Sequence, residues 1–401
     1  MEANSSLIAA LDRRIGECMA VPVQLSEGGH ERLVDPLRGG EVLLNPRRAQ
    51  RPLGGDRGCP FCTGQTPPTL FYVEADAGEG EDPGVGPAQI ETEQDSFRAI
   101  RRYLAELPEG AGPDPWAVIR LLMDVRHPDR TGRDVPIVHP AEPWLVRTFL
   151  NFVPLIREPA TGANCFVLSV PPPFHDRDIG ILKHNPAGDQ PPLPLVIMEA
   201  LLESWVVLET WAKHRDLIPI PFINGGKNPL SGQSLECFHS QFFALSRADF
   251  PPLYGRFAER RREGDCPVDR ILERRELVVA RFGEYVVCVH PAPVRNYSLV
   301  VAPEREVADL ASLEDRRRFA AALSWAIRAY EILLGGVPAY VVALRTGDSV
   351  GHLHAEVVPR SLVNVPGGFE ETTGFVVTTK DPREVAERLR REHAVRTDEG
   401  R

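Results

Sequence analysis

Apolar residues recur with the spacing of an amphipathic helix in two long stretches of the chain, residues 195–213 and residues 315–334. A short apolar run of the kind that forms a buried strand follows each helix, at residues 220–223 and at residues 340–344. Two further strand signals precede each helix, at 144–149 and 166–170 before the first and at 285–289 and 298–301 before the second. The repeated order of strand pair, helix and strands predicts an internal duplication.

The first copy ends in a row of polar side chains that has the period of a strand. Cys237, His239 and Gln241 lie two residues apart, and side chains two apart on a strand point to the same face. The row combines a possible metal ligand, a nucleophile or base, and a neutral hydrogen-bond donor. The turn Asn224-Gly225-Gly226 and the segment Gly232-Gln233-Ser234 precede it. We therefore interpret His239 as a catalytic rather than a structural histidine.

A similar row, formed by His352, His354 and Glu356, ends the second copy. Two roles fit these residues: ligands of a second metal ion, or polar support for a sugar pocket or a subunit interface. Three ligands on one strand face need a fourth from elsewhere, and Glu304 or Glu306 is available for that position. The sequence alone does not decide between the two roles.

The duplication predicts two domains, an N-terminal unit at residues 1–248 and a C-terminal unit at residues 249–401. The N-terminal unit carries an inserted block at about residues 75–143. That block begins with Gly, Asp, Glu and Pro, a composition that cannot bury a core.

Three further elements are predicted near the insertion and the end of the chain. Within the inserted block, residues 116–125 are predicted to form a short helix. The C-terminal unit is predicted to end with a strand at residues 374–379 and a helix from residue 381 to about residue 393.

The net charge of the chain is -10 at pH 7, from 46 Lys and Arg against 56 Asp and Glu. This balance argues against a protein that coats nucleic acid, because such a protein needs a basic surface to displace counterions. The first residues carry no basic segment followed by an apolar one, and glutamates interrupt the longest apolar stretch. We therefore expect neither a secretory signal nor a membrane span, and the expected location is the cytoplasm.

Seven cysteines are spread over the chain, and an odd number without an export signal favours reduced thiols or a metal site over a disulfide framework. Cys59 and Cys62 form a CxxC pair, which on its own can be redox-active, structural or incidental. Two more ligands would complete a tetrahedral zinc shell, and His175 and Cys237 are the candidates. We therefore predict a Cys3His zinc site.

Several motifs occur along the chain in the order found in one family. They are Asp35-Pro36-Leu37, Arg48-Ala49-Gln50-Arg51-Pro52, Cys59-Pro60-Phe61-Cys62, Phe222-Ile223-Asn224-Gly225-Gly226, Cys237-Phe238-His239-Ser240-Gln241, His352-Leu353-His354-Ala355-Glu356 and Gly368-Phe369-Glu370. In this order the chain resembles galactose-1-phosphate uridylyltransferase, a family of the histidine-triad superfamily. The resemblance implies an α+β fold of two tandem histidine-triad-like units, each an antiparallel sheet packed with helices, and a homodimer.

The resemblance also implies a reaction and the residues that carry it. His239 would attack the α-phosphorus of UDP-glucose, release the hexose 1-phosphate and pass UMP to a second hexose 1-phosphate, with galactose 1-phosphate as the expected acceptor. Taken alone, Arg48 and Arg51 are typical of a solvated surface, and the resemblance makes them ligands of the diphosphate. The other roles implied by position are phosphoryl donors for Gln241 and Ser234, nucleotide contacts for Asn151 and Asn224, a sugar contact for Glu370, and structural zinc ligands for Cys59, Cys62, His175 and Cys237.

Two other functions remain open at this point. A phosphorylase of nucleotide sugars or dinucleotides would keep His239 as the nucleophile and use inorganic phosphate as the acceptor. A zinc-stabilised nucleotide-binding protein would bind the same ligands without turnover.

Overall fold

The structure, a computed structural model, describes the following parts of the chain: residues 8–16, 31–34, 41–44, 69–75, 119–122, 144–151, 165–169, 195–225, 238–247, 251–336, 338–360, 368–373 and 375–399. The chain forms two compact units. The first comprises Met1–Asp176, Glu203–Pro219 and Ser234–Asp249, and the second comprises Arg177–Leu202, Ile220–Gln233 and Phe250–Arg401. The domain boundary drawn between residues 248 and 249 remains a prediction from the sequence.

The first half of the chain contributes two helices and eight strands to the described part. In order they are α1 (8–16), β1 (Glu31–Val34), β2 (Glu41–Leu44), β3 (Thr69–Ala75), β4 (Ile119–Leu122), β5 (Trp144–Leu150), β6 (Cys165–Ser169), α2 (Leu195–His214), β7 (Ile218–Gly225) and β8 (His239–Leu245). Strands β1 and β2 pair with each other in an antiparallel hairpin. The main sheet of the first unit has the order β4-β3-β5-β6-β8, and its pairs are antiparallel.

Helix α2 packs against one face of the first sheet through two tryptophans. Trp205 Nε1 donates a hydrogen bond to Ser240 Oγ on β8 at 3.1 Å. Trp211 meets Phe166 on β6 edge-on, with ring centroids 5.3 Å apart, and Phe166 lies opposite Phe242 on β8. All five side chains are buried. The α2-facing side of β8 is therefore an apolar core with one satisfied hydroxyl.

The second half contributes five helices and five strands to the described part. In order they are α3 (Pro252–Arg262), α4 (Pro267–Leu272), β9 (Val278–Phe282), β10 (Tyr285–Val289), β11 (Leu299–Pro303), α5 (Arg316–Leu334), β12 (Ala339–Arg345), β13 (His354–Arg360), α6 (Gly368–Thr373) and α7 (Pro382–Glu399). The sheet of the second unit has the order β7-β12-β13-β11-β10-β9 with antiparallel pairs. Among the described residues, no helix combines the length and the apolar character needed to cross a membrane.

Helix α5 is fixed at both ends and along its inner face. Asp315 is the N-cap, and its side chain accepts a hydrogen bond from the Arg318 backbone N at 2.9 Å. Gly335 ends the helix with a φ of 76°, a left-handed conformation that favours glycine. On the inner face, Tyr330 Oη donates to the Val357 carbonyl oxygen at 2.9 Å. This bond joins the helix to β13.

The predicted duplication is visible in the order of elements. β5, β6, α2, β7 and β8 in the first copy correspond to β10, β11, α5, β12 and β13 in the second. The pair β6–β8 has its counterpart in the pair β11–β13, and both pairs are antiparallel. His239 and His354 are the first residues of β8 and β13. The predicted α+β fold, with antiparallel sheets packed against helices, is confirmed.

Two predictions of local structure are wrong. Residues 116–125 were expected to be helical, but Ile119–Leu122 forms β4, which pairs with β3. Residues 375–379 were expected to form a strand, but they have no strand partner among the described residues. Side chains hold this segment instead, because Asn296 Oδ1 accepts from Thr378 Oγ1 at 2.7 Å and from the Thr379 backbone N at 3.1 Å.

We expect Gly225→Ala to destabilise the second unit by about 1–3 kcal/mol, because it overpacks the core. A Cβ at position 225 would lie 2.5 Å from Cε2 of Tyr340 and closer still to Cζ. The Tyr340 ring is 3 % exposed, so it has little room to move. The free energy of unfolding in urea measures the effect.

Gly16→Ala is the matched control, because a Cβ at position 16 would have no atom within 4 Å. It is expected to be neutral or slightly stabilising. The double variant Gly225→Ala with Tyr340→Leu should lose less stability than the sum of its single changes, since leucine lacks the overlapping ring atoms. Simple additivity would contradict the proposed clash.

Candidate functional site

A row of polar side chains crosses three strands of the first unit. Arg147 on β5 lies opposite Ser169 on β6, and Ser169 lies opposite His239 on β8. Residues opposite each other on paired strands point to the same face, so these three side chains share one face. It is the face away from α2, because the neighbouring residue Ser240 bonds to that helix. We call Arg147, Ser169 and His239 the polar row.

Gln241 follows His239 on the same face of β8. Its Nε2 lies 3.4 Å from His239 Nε2, at the long end of the hydrogen-bond range. An amide NH2 group can only donate, so this contact requires an unprotonated Nε2 and a ring proton on Nδ1. In this tautomer the Nε2 lone pair accepts from Gln241, and it can act as a nucleophile once that amide turns to another acceptor.

The polar row is buried. Arg147, Ser169 and His239 are 1 %, 1 % and 3 % exposed. Charged side chains are almost never fully buried without partners. The buried guanidinium of Arg147 therefore indicates that polar groups surround it on this face. Ser169 Oγ, between the other two, has no hydrogen-bond partner among the described residues. A buried hydroxyl of this kind is typical of a site that receives a ligand or a water molecule.

Arg147 and Ser169 are absent from the site predicted by sequence. The signal for Arg147 was present, because one arginine interrupts the apolar strand Trp144–Leu150. Its guanidinium carbon lies 5.3 Å from the centroid of the Phe149 ring, which is the neighbour two residues along the same face. Arg147 lies two strand spacings from β8, a distance of about 10 Å. An extended arginine side chain covers most of this distance.

His354 begins β13 as His239 begins β8, but its surroundings differ. Its Nδ1 donates to the His352 carbonyl oxygen at 2.9 Å, and its ring meets Phe257 edge-on at 5.4 Å. Burial lowers the pKa of His354 to about 4, so the ring is neutral at pH 7. Glu356 accepts from Arg345 Nε at 3.2 Å. Both side chains therefore have protein partners.

His352 contacts a different part of the second unit. Its Nδ1 lies 2.9 Å from Asp269 Oδ1 and 3.8 Å from Cys266 Sγ, and its Nε2 lies 2.9 Å from the Pro303 carbonyl oxygen. Cys266, Asp269 and His352 form the group of possible metal ligands that the described residues contain. The structure thus brings the His352 ring together with Cys266 and Asp269, while the His352 backbone carbonyl accepts from His354.

Two solved structures share this architecture. A GalT-like protein from Arabidopsis thaliana matches with a TM-score of 0.50 and 19 % identity, over 64 % of this chain and 86 % of that chain. An ADP-glucose phosphorylase from the same plant, solved with bound ADP-glucose, matches with a TM-score of 0.53 and 18 % identity, over 90 % of this chain and 99 % of that chain. The chain has the GalT-like fold. The resemblance predicted from the motifs is therefore confirmed at the level of fold.

The GalT-like fold of this chain is detected through its structure. No protein-family model matches the sequence, and no curated protein matches it significantly. The resemblance in sequence therefore rests on short motifs at strand ends and turns, and the segments between them differ.

Three other predicted residues have defined places in the structure. Asn151 follows β5, and its Nδ2 lies 3.2 Å from Cys165 Sγ on β6. Asn224 is half-buried on β7, opposite Val341 of β12. Glu370 on α6 accepts from the Val377 backbone N at 3.0 Å, so part of its carboxylate orders the segment before α7. Their substrate contacts remain predictions.

The remaining predicted site residues lie outside the described part of the chain. They are Arg48, Arg51, Cys59, Cys62, His175, Ser234 and Cys237. The zinc shell and the diphosphate contacts assigned to them remain predictions from the sequence.

Proposed function

We propose that this chain is a nucleotidyltransferase that carries a nucleotide on His239. The proposed reaction moves UMP from UDP-glucose to a hexose 1-phosphate, with galactose 1-phosphate as the acceptor we favour. The proposal rests on the position of His239. Its Nε2 faces the amide of Gln241, and it lies on a buried polar face that it shares with Arg147. A nucleophile, a neutral donor and a fixed positive charge are the groups that phosphoryl transfer needs.

The proposed chemistry has two matched steps. In the first, His239 Nε2 forms a bond to the α-phosphorus while the bond from that phosphorus to its bridging oxygen breaks, releasing the hexose 1-phosphate. In the second, a phosphate oxygen of the acceptor attacks the same phosphorus and the N–P bond breaks. An imidazole suits both steps because it is a competent nucleophile near pH 7 and a good leaving group once protonated.

Hydrogen-bond donors on the polar face would stabilise the charge that develops on the phosphoryl oxygens. Gln241 donates without adding charge, and the guanidinium of Arg147 adds a charge-assisted donor. Ser234 is proposed as a further donor, and Arg48 and Arg51 as ligands of the diphosphate. Zinc at the Cys3His site would have a structural role, and no step of the transfer uses it.

A phosphorylase is the second candidate, because one structural neighbour is an ADP-glucose phosphorylase that matches along 90 % of this chain. It would share the first step, with ADP-glucose as a possible donor, and would use inorganic phosphate to remove the nucleotide from His239. The two candidates therefore differ only in the base and in the acceptor.

The test is a single-turnover labelling experiment followed by chase. Protein incubated with UDP-glucose or ADP-glucose labelled at the α-phosphate should acquire acid-labile, base-stable label on His239. Chase with galactose 1-phosphate should release the label from a uridylyltransferase, and chase with inorganic phosphate should release it from a phosphorylase. Nucleotide binding without any adduct would overturn both candidates and favour a binding protein without turnover.

Replacing Gln241 should slow the transfer without preventing nucleotide binding. We expect Gln241→Ala to lower kcat about 10²-fold with little change in KM, because the lost donor acts mainly on charge developed in the transition state. Gln241→Glu has the same shape but no amide donor, and its negative charge should make the loss larger. Steady-state kinetics check both variants. A rise in KM at unchanged kcat would instead assign Gln241 to substrate binding.

A further inference from the structure

The second unit contains a cluster of three potential metal ligands that is separate from the zinc shell predicted in the first half. The thiol of Cys266, the carboxylate of Asp269 and the imidazole of His352 each place a ligand atom within 4.8 Å of the other two. Cys266 directly precedes α4, and Asp269 lies in the first turn of that helix. His352 lies in the loop that leads into β13.

The hydrogen bonds of His352 determine which ring nitrogen can bind a cation. Its Nε2 lies 2.9 Å from the Pro303 carbonyl oxygen, and a carbonyl only accepts, so Nε2 carries a proton. The neutral ring then has its lone pair on Nδ1, which faces Asp269 Oδ1 at 2.9 Å. Two acceptors at that distance repel each other unless a proton or a metal ion lies between them. A ring N–H bonded to a backbone carbonyl is also the usual support of a metal-binding histidine.

The distances are close to those of a tetrahedral zinc site. Standard bond lengths place the sulfur and nitrogen ligands of such a site about 3.5 Å apart, and the nitrogen and oxygen ligands about 3.4 Å apart. In the structure, Sγ to Nδ1 is 3.8 Å and Nδ1 to Oδ1 is 2.9 Å. The Asp269 side chain is 50 % exposed, so it can move outward by the required half ångström. His352, which is 1 % exposed, is the fixed member of the set.

We propose that Cys266, Asp269 and His352 bind a divalent ion of the zinc class through Sγ, a carboxylate oxygen and Nδ1. The thiolate and imidazole ligands favour Zn²⁺ or Co²⁺ over Mg²⁺ and Ca²⁺, which prefer oxygen ligands. Three protein ligands leave one tetrahedral position for water or another group. The set shares only His352 with the second metal site predicted from the sequence.

Such an ion would join two parts of the second unit that are distant in sequence. Cys266 and Asp269 belong to the segment between α3 and β9, and His352 belongs to the loop before β13. The His352 carbonyl oxygen accepts from His354 Nδ1, so the ion would also hold the His354 ring in its present tautomer. The ion would therefore have a stabilising role and would position His354.

The test measures metal content and spectra of the full-length protein, and it does not depend on activity. Wild type, Cys266→Ser and Asp269→Asn are stripped with a chelator, loaded with Zn²⁺ and analysed for bound metal after gel filtration. Cys288→Ser is the matched control, because Cys288 is a buried free cysteine on β10 outside the cluster. We expect Cys266→Ser to bind one equivalent fewer than wild type and Cys288→Ser to bind the wild-type amount. Asp269→Asn should bind this equivalent more weakly, because a neutral amide replaces the carboxylate ligand.

Co²⁺ loading provides the second readout, because a thiolate ligand gives cobalt a charge-transfer band. The wild-type spectrum minus the Cys266→Ser spectrum should contain this band, and the wild-type spectrum minus the Cys288→Ser spectrum should not. Zn²⁺ should also raise the Tm of wild type more than that of Cys266→Ser. Equal metal content and equal cobalt spectra for wild type and Cys266→Ser would overturn the proposal, and the cluster would then be an imidazolium–carboxylate ion pair beside a free thiol.

Discussion

His239→Asn is expected to lower nucleotidyl transfer by about 10⁴-fold or more while the protein remains folded. Asparagine fills part of the buried space and stays polar, but its amide cannot form the phosphoramidate that carries the nucleotide between the two steps. Single-turnover transfer from labelled UDP-glucose measures the loss, and a thermal melt measures the stability. No label should remain on the variant after acid-free denaturation.

The matched control for this change is His214→Asn. His214 is the last residue of α2 and is exposed, so its replacement should alter the rate by less than about twofold. If His239→Asn kept even a tenth of the wild-type transfer, the nucleotide would have to pass through another group, and the proposed double displacement would be wrong.

Trp205→Ala is expected to cost about 3–5 kcal/mol of the free energy of unfolding, because it removes a large side chain that is 0 % exposed. The change also removes the hydrogen bond to Ser240, the residue next to His239 on β8. We therefore expect it to loosen β8 and to lower transfer even at temperatures where the protein is folded. Urea unfolding followed by far-UV circular dichroism measures the stability, and steady-state kinetics measure the rate.

Two further variants separate packing from hydrogen bonding. Trp205→Phe keeps most of the packing and removes the N–H donor, so it should cost about 1–2 kcal/mol. Trp325→Ala on α5 is the control for the loss of a tryptophan, because Trp325 is only half-buried and should cost less. An equal loss for Trp205→Ala and Trp325→Ala would contradict the role given to the contact between α2 and β8.

The long helices α2 and α5 and the strands that flank them could be predicted from the sequence because their apolar residues follow the period of the element. Helix α2 was expected at residues 195–213 and spans Leu195–His214. Strand β4 was missed because a run as short as Ile119–Leu122 has no decisive period, and its pairing with β3 determines its conformation. The local apolar pattern is enough to predict a long element. The conformation of a short element is determined by its pairing in the fold.

The candidate site was predictable only where its residues share one strand. His239 and Gln241 were placed side by side because a strand repeats every two residues, and their side-chain nitrogens lie 3.4 Å apart. Arg147 joins them through the register of three strands, which the sequence does not specify. Cys266 and His352 are 86 residues apart, so their meeting depends on the whole fold of the second unit.

The close approach of Gly225 to Tyr340 has a consequence for how this chain can diverge. The Tyr340 ring occupies the space that a side chain at position 225 would need, and the two residues lie opposite each other on β7 and β12. Substitutions at positions 225 and 340 are therefore expected to depend on each other. In descendants of this chain, any larger residue at 225 should be accompanied by a smaller one at 340, and a deep mutational scan should detect this dependence as paired tolerance.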